Sequence, residues 1–487
     1  MRLYHSTRDA SISSTADAAI LRGISPDGGL YVPAQFNKID MNALMGMSAY
    51  ELFAHVLENL LDGYAEGEMY EIVKKGYLGR FETEDVTPTV KAGDMYFLEL
   101  FRGPTAAFKD VALSLLPYFI TRAARNEGVT DEIRILTATS GDTGKAALAG
   151  FADVPGTSIT VFYPYGGVSE IQRRQMCTQK GANVRVCAVR GNFDDAQTGV
   201  KKVFGDKALN DRLNAKNVRL SSANSINLGR LAPQVAYYFK SYVDLVRRGE
   251  IKMGDEINFA VPTGNFGDIL AGQYARMMGL PVGKLVCASN KNNVLTDFLT
   301  TGTYDRRREF YKTASPSMDI LVSSNLERCL HLLSGCDCGL VKDLMLKLNT
   351  EGIYTAPESV MDAFRKDFAA GCADDEAAFK AIRDTWNQDR YLIDTHTAVG
   401  AAVARDYIKN TGDARPMVVL STASPYKFAG DVLAALGESG YEGFASLDRL
   451  NELTNVPIPK NLDSLRTLEE IHNDVVEIDG IPEYSEA

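Results

Sequence analysis

Cysteine is scarce in this sequence and shows no framework spacing. Seven cysteines are scattered over 487 residues, and only Cys336 and Cys338 stand close together. That pair lacks the two-residue spacer of a zinc knuckle and has no second pair nearby. The pattern therefore predicts free thiols in a reducing compartment and no metal site.

Long apolar runs and an excess of positive charge are also absent. No uninterrupted apolar stretch approaches membrane-spanning length, and the first ten residues contain no apolar core of a signal peptide. The formal net charge is -11, which disfavours nucleic-acid binding as the main role. We expect a cytoplasmic monomer or homodimer that acts on a small molecule and has no nucleic-acid or membrane partner.

Short apolar strands alternate with helical segments from Met95 onward. An example is the strand Ile133–Thr137, followed by the helix Gly144–Phe151. This alternation predicts an α/β fold in which mostly parallel sheets are flanked by helices in two domains. Residues 1–95 instead predict a mostly helical N-terminal extension, because Ser48–Leu61 repeats apolar side chains at helical spacing.

The predicted regions are residues 1–95, then 96–250 with the smaller α/β domain, and then 251–487 with the larger α/β domain and C-terminal helices. Single helices are expected over Val111–Arg125, residues 194–213 and Glu358–Ala370. The acidic tail after Asp474 is expected to lie on the surface.

Three loops that follow predicted strands have unusual compositions, and strand ends are where open α/β sheets bind ligands. The first, Gly103–Asp110, leads into an apolar helix and contains Lys109. Partial burial there lowers the pKa of the amine and frees it to attack a carbonyl. The alternative for Lys109 alone is a lysine at a helix start whose charge reaches solvent.

The other two loops favour an anion. Thr139–Gly144 offers hydroxyl groups, glycines and a helix N-terminus, which suit a carboxylate or a phosphate. Its alternative is a simple turn in which Asp142 or Thr143 caps the helix. Pro262–Asp268 contains two glycines that let the backbone close around a phosphate, but it lacks the lysine of a nucleotide-binding P-loop and the GxGxxG spacing of a dinucleotide site.

Together with other segments, these loops resemble the threonine synthase family in order and spacing. The other segments are Leu3–Arg8, Asp27–Pro33, Asn224–Arg230 and Ser421–Phe428. The resemblance runs beyond residue 430 and is to the longer branch of the family. It implies a fold-type-II pyridoxal-phosphate enzyme, a lyase that converts O-phospho-L-homoserine and water to L-threonine and phosphate, the last step of threonine biosynthesis.

The resemblance also implies roles for individual residues. Lys109 is similar to the catalytic lysine that holds pyridoxal 5'-phosphate as a Schiff base. The residues implied to bind the cofactor phosphate are Gly264, Asn265, Phe266, Gly267 and Asp268. Thr422 would bring a neutral hydroxyl to the pyridine nitrogen, which favours elimination chemistry. The residues implied to bind the substrate are Ser140, Asp142, Thr143, Asn224, Ser225 and Arg230.

Two positions depart from the pattern of many fold-type-II enzymes. Asp142 stands where an asparagine often contacts the ring hydroxyl of the cofactor. A carboxylate there must be protonated or turned away to avoid repulsion, although Gly-Asp-Thr-Gly is common in the longer branch. Arg102 stands where relatives often have another residue, and it either tunes substrate binding or faces water.

Other interpretations are open at this stage. The chain resembles, less specifically, a fold-type-II dehydratase of threonine or serine, which needs no phosphate clamp. It could also be a threonine-synthase-like binding protein without turnover. His396 invites a catalytic role, but a hydrogen-bonded histidine at a helix start is the interpretation that we favour.

Overall fold

The structure is a computed structural model that describes residues 3–487. Its strands, in chain order, are β1 Tyr4–Ser6, β2 Ser13–Ser14, β3 Tyr31–Pro33, β4 Thr89–Ala92, β5 Met95–Glu99, β6 Glu132–Ala138, β7 Thr157–Pro164, β8 Val184–Arg190, β9 Val218–Ser221, β10 Ile257–Pro262, β11 Val282–Ser289, β12 Thr303–Asp305, β13 Ile353–Thr355, β14 Phe368–Cys372, β15 Met417–Ser421 and β16 Asp474–Glu477.

Helices connect and cover these strands. In chain order they are α1 Ala16–Arg22, α2 Ala49–Leu60, α3 Glu68–Tyr77, α4 Lys109–Leu113, α5 Leu116–Asn126, α6 Asp142–Phe151, α7 Glu170–Cys177, α8 Phe193–Gly205, α9 Lys207–Ala215, α10 Leu228–Arg247, α11 Gly267–Met277, α12 Val294–Thr301, α13 Leu326–Leu333, α14 Cys338–Thr350, α15 Glu358–Asp367, α16 Asp375–Asp389, α17 Thr395–Thr411, α18 Ala429–Ala435, α19 Gly443–Thr454, α20 Lys460–Asp463 and α21 Ile481–Glu486. None of the helices in residues 3–487 combines the length and the apolar character needed to cross a membrane.

Two sheets form the body of the protein, and both are mostly parallel. The larger has the order β14-β11-β10-β15-β5-β4, in which only β4 is antiparallel to its neighbour. The smaller has the order β16-β8-β7-β6-β9 and is parallel throughout. The expected α/β class with mostly parallel sheets is confirmed.

The central strands are buried on both faces, as parallel sheets covered by helices require. Every residue of β10 and of β15 is buried. Their sequences, INFAVP and MVVLS, are therefore nearly continuous apolar runs without polar alternation. The three adjacent parallel strands β10, β15 and β5 end at the same edge of the larger sheet.

The N-terminal region contains the expected helices and also a small sheet. In α2, Ser48 and Glu51 form a reciprocal capping box, and one face of the helix buries Leu52, Phe53 and Leu57. Strands β1, β2 and β3 form an antiparallel sheet in the order β2-β1-β3. The region is thus helical with a short antiparallel sheet at its start.

The structure corrects three sequence-based expectations of helices. The helix expected over Val111–Arg125 is two helices, α4 and α5, and residues 194–213 form α8 and α9, because the side chain of Asp206 caps a new helix. The helix expected over Glu358–Ala370 ends at Asp367, and β14 follows. The acidic tail lies mostly at the surface, as expected, although β16 extends the smaller sheet and Ile481 of α21 is fully buried.

Segments from distant parts of the chain share each sheet. Strand β5 pairs with β15, and β16 pairs with β8. The regions 1–95, 96–250 and 251–487 stay a prediction of how the chain divides.

Candidate active site

Lys109 is the first residue of α4, in the loop that follows β5. Its side chain is only 11% exposed. The amine donates to Ser317 Oγ at 3.2 Å and lies 3.8 Å from Asp142 Oδ2. The loop therefore turns the amine inward, beside a hydroxyl group and a carboxylate.

Burial lowers the pKa of the Lys109 amine to about 8, and the positive charges of Lys427 and Arg230 add to this effect. The Asp142 carboxylate opposes it, since a nearby anion favours the ammonium form. With this pKa, about a tenth of the amine is neutral, and hence nucleophilic, at pH 7, far more than for an ordinary lysine.

The pKa of Lys109 predicts the pH dependence of cofactor capture. Only the neutral amine attacks an aldehyde, so the rate of capture by cofactor-free protein should rise with pH, with a midpoint at about 8. Below the midpoint the rate should fall about tenfold per pH unit. Stopped-flow absorbance after mixing with pyridoxal phosphate measures this profile. A profile that stays low until about pH 10, the range of an ordinary lysine, would show that the amine is not desolvated.

Asp142 is ionised and held by a second lysine. Its Oδ1 lies 2.7 Å from Lys427 Nζ and accepts from Gln172 Nε2 at 3.1 Å. Burial alone would raise the pKa of Asp142, but the charges of Lys427 and Lys109 outweigh burial and hold this pKa well below its usual range. Of the two alternatives that the sequence left open, the structure favours a carboxylate engaged by Lys427 over a protonated one.

The loop before α6 is organised by Thr139. Its Oγ1 accepts from Gly141 N at 3.0 Å and from Gly144 N at 2.9 Å. The alternative that Asp142 or Thr143 caps this helix is therefore wrong. Ser140 is exposed and Thr143 is partly exposed, so both residues are accessible from solvent.

The glycine loop follows β10 and opens α11. Phe266 has a left-handed φ of 58° and makes no side-chain cap, so the first N–H groups of α11 remain available to an anion. At Gly264, a Cβ would lie 2.9 Å from the Ser317 carbonyl oxygen, which is too close for any residue with a side chain. The loop thus brings its backbone N–H groups close to Ser317, the residue that accepts a hydrogen bond from the Lys109 amine.

Thr422 lies beside the Lys109 loop. Its carbonyl accepts from Phe108 N at 2.8 Å, and Ser424 N donates to Ala106 O at 3.0 Å. These bonds tie the end of β15 to the residues just before Lys109. The Lys109 loop, Thr422 and the glycine loop therefore meet at the shared edge of β5, β15 and β10.

Asp268 differs from the other residues of the glycine loop. Its carboxyl accepts from the hydroxyl groups of Tyr237 and Tyr238 on α10, while its Oδ2 is buried without a partner. Burial raises the pKa of Asp268 to about 7, although the two hydroxyl donors oppose that rise. A contact between this side chain and the cofactor phosphate stays a prediction.

Arg230 is buried in the first turn of α10 without a carboxylate partner among residues 3–487. It is 5% exposed, its Nη1 donates to Ala223 O at 2.8 Å, and its Nε has no partner. Burial lowers the pKa of Arg230 to about 10, because nothing in its surroundings compensates for desolvation. A buried guanidinium with spare donors is the arrangement expected where an anion binds.

The segment before Arg230 is connected to the glycine loop. Asn325 Nδ2 donates to Ser225 O at 3.3 Å and to Asn265 O at 3.1 Å. Asn224 is exposed, and its Oδ1 accepts from Ile226 N at 3.3 Å. The two predicted phosphate-binding segments are therefore neighbours in the structure.

Several residues of this neighbourhood were not predicted from the sequence. They are Ser317, Asn325, Gln172 and Lys427. Lys427 lies within the late segment that carries the family resemblance, which was the only available signal. The others come from elements whose proximity no local pattern encodes.

His396 holds Ser317, the residue that accepts a hydrogen bond from the Lys109 amine. Its Nδ1 lies 2.8 Å from Asp394 Oδ2, and its Nε2 accepts from the Ser317 N–H at 3.1 Å. Because the Ser317 N–H can only donate, Nδ1 is the nitrogen that carries the hydrogen. The favoured interpretation of His396 as a hydrogen-bonded residue at a helix start agrees with these contacts.

Arg102 is partly exposed and pairs with one buried and one exposed carboxylate. It lies 2.7 Å from Glu99 Oε2 and 2.9 Å from Glu82 Oε2, and its side chain is 35% exposed. Both carboxylates pair with the guanidinium. Within residues 3–487, Arg102 forms no ion pair or side-chain hydrogen bond with Lys109 or with the glycine loop.

The geometry fits a ligand that carries both an aldehyde and a phosphate. A nucleophilic lysine lies at one strand end, and an uncapped helix start suited to a phosphate lies at a neighbouring one. A family model described as "Pyridoxal-phosphate dependent enzyme" matches residues 82–423. The fold and the site thus define a pyridoxal-phosphate-dependent enzyme of fold type II.

Further matches narrow this class. Models of the threonine synthase N terminus and of the threonine synthase C-terminal region match residues 3–77 and 397–479. Threonine synthase from Saccharomyces cerevisiae is 36% identical over 476 residues, which cover 91% of this chain and 90% of the yeast protein. The chain belongs to the threonine synthase family.

A solved structure and a longer relative complete the comparison. The PLP-bound threonine synthase from Brucella melitensis superimposes with a TM-score of 0.88 at 36% identity and covers 100% of this chain and 99% of its own. The human protein Threonine synthase-like 1 is 38% identical over 432 residues, which cover 86% of this chain and 57% of the human protein. The chain thus matches little more than half the length of that relative.

Proposed function

We propose that this protein is a threonine synthase that converts O-phospho-L-homoserine and water to L-threonine and phosphate. The observation that carries the proposal is the buried Arg230, which has no carboxylate partner among residues 3–487 and lies near enough to Lys109 to lower the pKa of its amine. A substrate that carries both an amine and a phosphate complements this pair of groups. A dehydratase of threonine or serine has no use for the guanidinium.

The proposed cofactor contacts follow from the same geometry. Lys109 would hold pyridoxal phosphate covalently. The N–H groups of Gly264, Asn265, Phe266, Gly267 and Asp268 would hold its phosphate. Thr422 would offer its hydroxyl group to the pyridine nitrogen. When bound, the cofactor supplies an electron sink for the electron pair left at a substrate carbon after proton removal.

The remaining chemistry belongs to the side chains of the protein. With substrate bound, the free amine of Lys109 removes the proton at Cα and then moves a proton at Cβ. Arg230 binds the phosphate that leaves from Cγ and stabilises its growing charge. Ser140, Asn224, Ser225 and Thr143 add hydrogen bonds to this phosphate, and Asp142 also belongs to the substrate-binding site. Water then adds its hydroxyl group at Cβ, and the protons removed earlier return to Cγ, which becomes the methyl group, and to Cα, which completes threonine.

The test is a product assay on the full-length protein. With O-phospho-L-homoserine and pyridoxal phosphate, we expect phosphate and threonine in equal amounts. Release of a 2-oxo acid from L-threonine or L-serine, without phosphate release from phosphohomoserine, would instead indicate a dehydratase. Cofactor binding without any product would indicate a binding protein. The proposal also retains a cytoplasmic location and a small molecule as the binding partner.

A further inference from the structure

The site contains a second buried lysine to which the proposed reaction assigns no role. The Lys427 side chain is fully buried, and its amine lies 2.7 Å from Asp142 Oδ1. The same amine donates to the carbonyl of Thr105 at 3.0 Å, in the loop that leads to Lys109. Lys427 therefore joins the Asp142 loop to the Lys109 loop.

We propose that Lys427 is a positioning residue that engages the Asp142 carboxylate and thereby weakens the hold of this carboxylate on the ammonium form of Lys109. The inference rests on Lys109 as the cofactor lysine, as in the proposed function, and does not depend on which substrate is converted. It explains how an aspartate is tolerated beside a lysine that must be neutral to react.

The distances support this division of the carboxylate. Asp142 Oδ1 contacts Lys427 at 2.7 Å, whereas Asp142 Oδ2 is 3.8 Å from Lys109. The shorter pair is a full charge-assisted hydrogen bond, and the longer one is beyond hydrogen-bonding distance. The Lys109 amine instead donates a hydrogen bond to Ser317 Oγ at 3.2 Å.

The other charged groups around Lys109 do not explain how the Asp142 carboxylate is drawn away from this amine. Asp110, next to Lys109 on α4, accepts from Thr105 N at 2.8 Å and from Thr105 Oγ1, so its carboxylate is already engaged. Arg230 on α10 contributes a second positive charge that disfavours the ammonium form. His396 on α17 is engaged by Asp394 Oδ2 and by the Ser317 N–H. Lys427 is the cation in direct contact with Asp142.

Removing Lys427 leaves Asp142 with Lys109 as its nearest cation. The carboxylate then stabilises the ammonium form of Lys109, and a repelling charge is lost at the same time. Both changes act in the same direction. The midpoint of the pH profile of cofactor capture should therefore move up by about one pH unit or more in Lys427→Met.

The experiment measures that midpoint by stopped-flow absorbance on full-length, cofactor-free protein mixed with pyridoxal phosphate. Wild type, Lys427→Met, Lys427→Arg and Lys145→Met are compared, because titration of the free cofactor is common to all four. Lys145 is a matched control: it is also buried, and its amine bonds to Gln179 instead of Asp142. We expect Lys427→Arg and Lys145→Met to keep the wild-type midpoint.

Asp142→Asn and its combination with Lys427→Met provide a second test in case Lys427→Met alone does not fold. Asp142→Asn should lower the midpoint, because the anion beside Lys109 is gone. The double variant Asp142→Asn/Lys427→Met removes both members of this buried ion pair together, and its midpoint should lie above that of Asp142→Asn because one repelling cation is removed. An unchanged midpoint in Lys427→Met, or in the double variant relative to Asp142→Asn, overturns the inference. No substrate is used, so the outcome is independent of threonine formation.

Discussion

Replacing Lys109 with alanine should lower kcat with O-phospho-L-homoserine by at least about 1,000-fold, because the general base at Cα and the covalent attachment of the cofactor are lost together. The visible absorbance of the bound cofactor should also disappear. Initial rates and spectra of the purified variant give both results. Borohydride reduction of the wild type followed by peptide mass spectrometry should find the cofactor on Lys109.

The matched control for this prediction is Lys145 on α6. It is buried like Lys109, and burial lowers the pKa of its amine to about 7. It is therefore a second lysine whose amine is expected to be neutral and reactive close to neutral pH. Lys145→Met should retain both the absorbance band and turnover. A reduced label on Lys145, or an active Lys109→Ala protein, would contradict the assignment.

Replacing Arg230 with alanine should lower kcat/KM for O-phospho-L-homoserine by about 100- to 1,000-fold, the range seen when one donor to a developing anion is removed. The reason is that this guanidinium is the buried cation with spare donors at the site. Arg230→Lys should recover part of the loss, since it keeps the charge but not the planar fork. Steady-state kinetics over a range of substrate concentrations measures these effects.

Two further measurements separate a substrate role of Arg230 from a structural one. Cofactor absorbance should be retained in Arg230→Ala, because the proposed cofactor contacts come from other loops. Arg102→Gln, which removes a partly exposed arginine paired with Glu99 and Glu82, should change kcat/KM by less than about twofold. If Arg230→Ala left kcat/KM almost unchanged, a dehydratase-like function would become the better interpretation.

The fold class and the strand-end loops could be predicted because they are written in local patterns. Strands β10 and β15 are short apolar runs, and each ends in polar or glycine-rich residues. Helix α2 follows from the spacing of its apolar residues and from its capping box. Such signals depend on neighbours in sequence, so the order of strands and helices was largely visible without coordinates.

What could not be predicted depends on pairs of residues far apart in the chain. Ser317 contacts Lys109 across 208 positions, and Asn325 reaches Ser225 across 100. Neither lies in a motif, and the polar residues around them resemble those of any surface loop. The breaks in the predicted helices have a related cause, because the side chain of Asp206 starts a new helix at a position where apolar periodicity alone continues.

The charge state of Asp142 also could not be predicted from the sequence. From the sequence, a carboxylate near the cofactor had to be either protonated or turned away. The structure adds Lys427, 285 positions later in the chain (427 minus 142), which neutralises it at 2.7 Å. A pKa therefore depends on tertiary contacts even where the residue itself is correctly recognised.

The most direct test of the account is the fate of the oxygen atom of water. In water enriched with oxygen-18, phosphate should leave phosphohomoserine by cleavage of the bond between carbon and oxygen, so the released phosphate should carry no label. The new hydroxyl group at Cβ of threonine should carry one labelled atom, as mass spectrometry would show. Label in the phosphate, or phosphate without labelled threonine, would mean that this site hydrolyses its substrate and is not a threonine synthase.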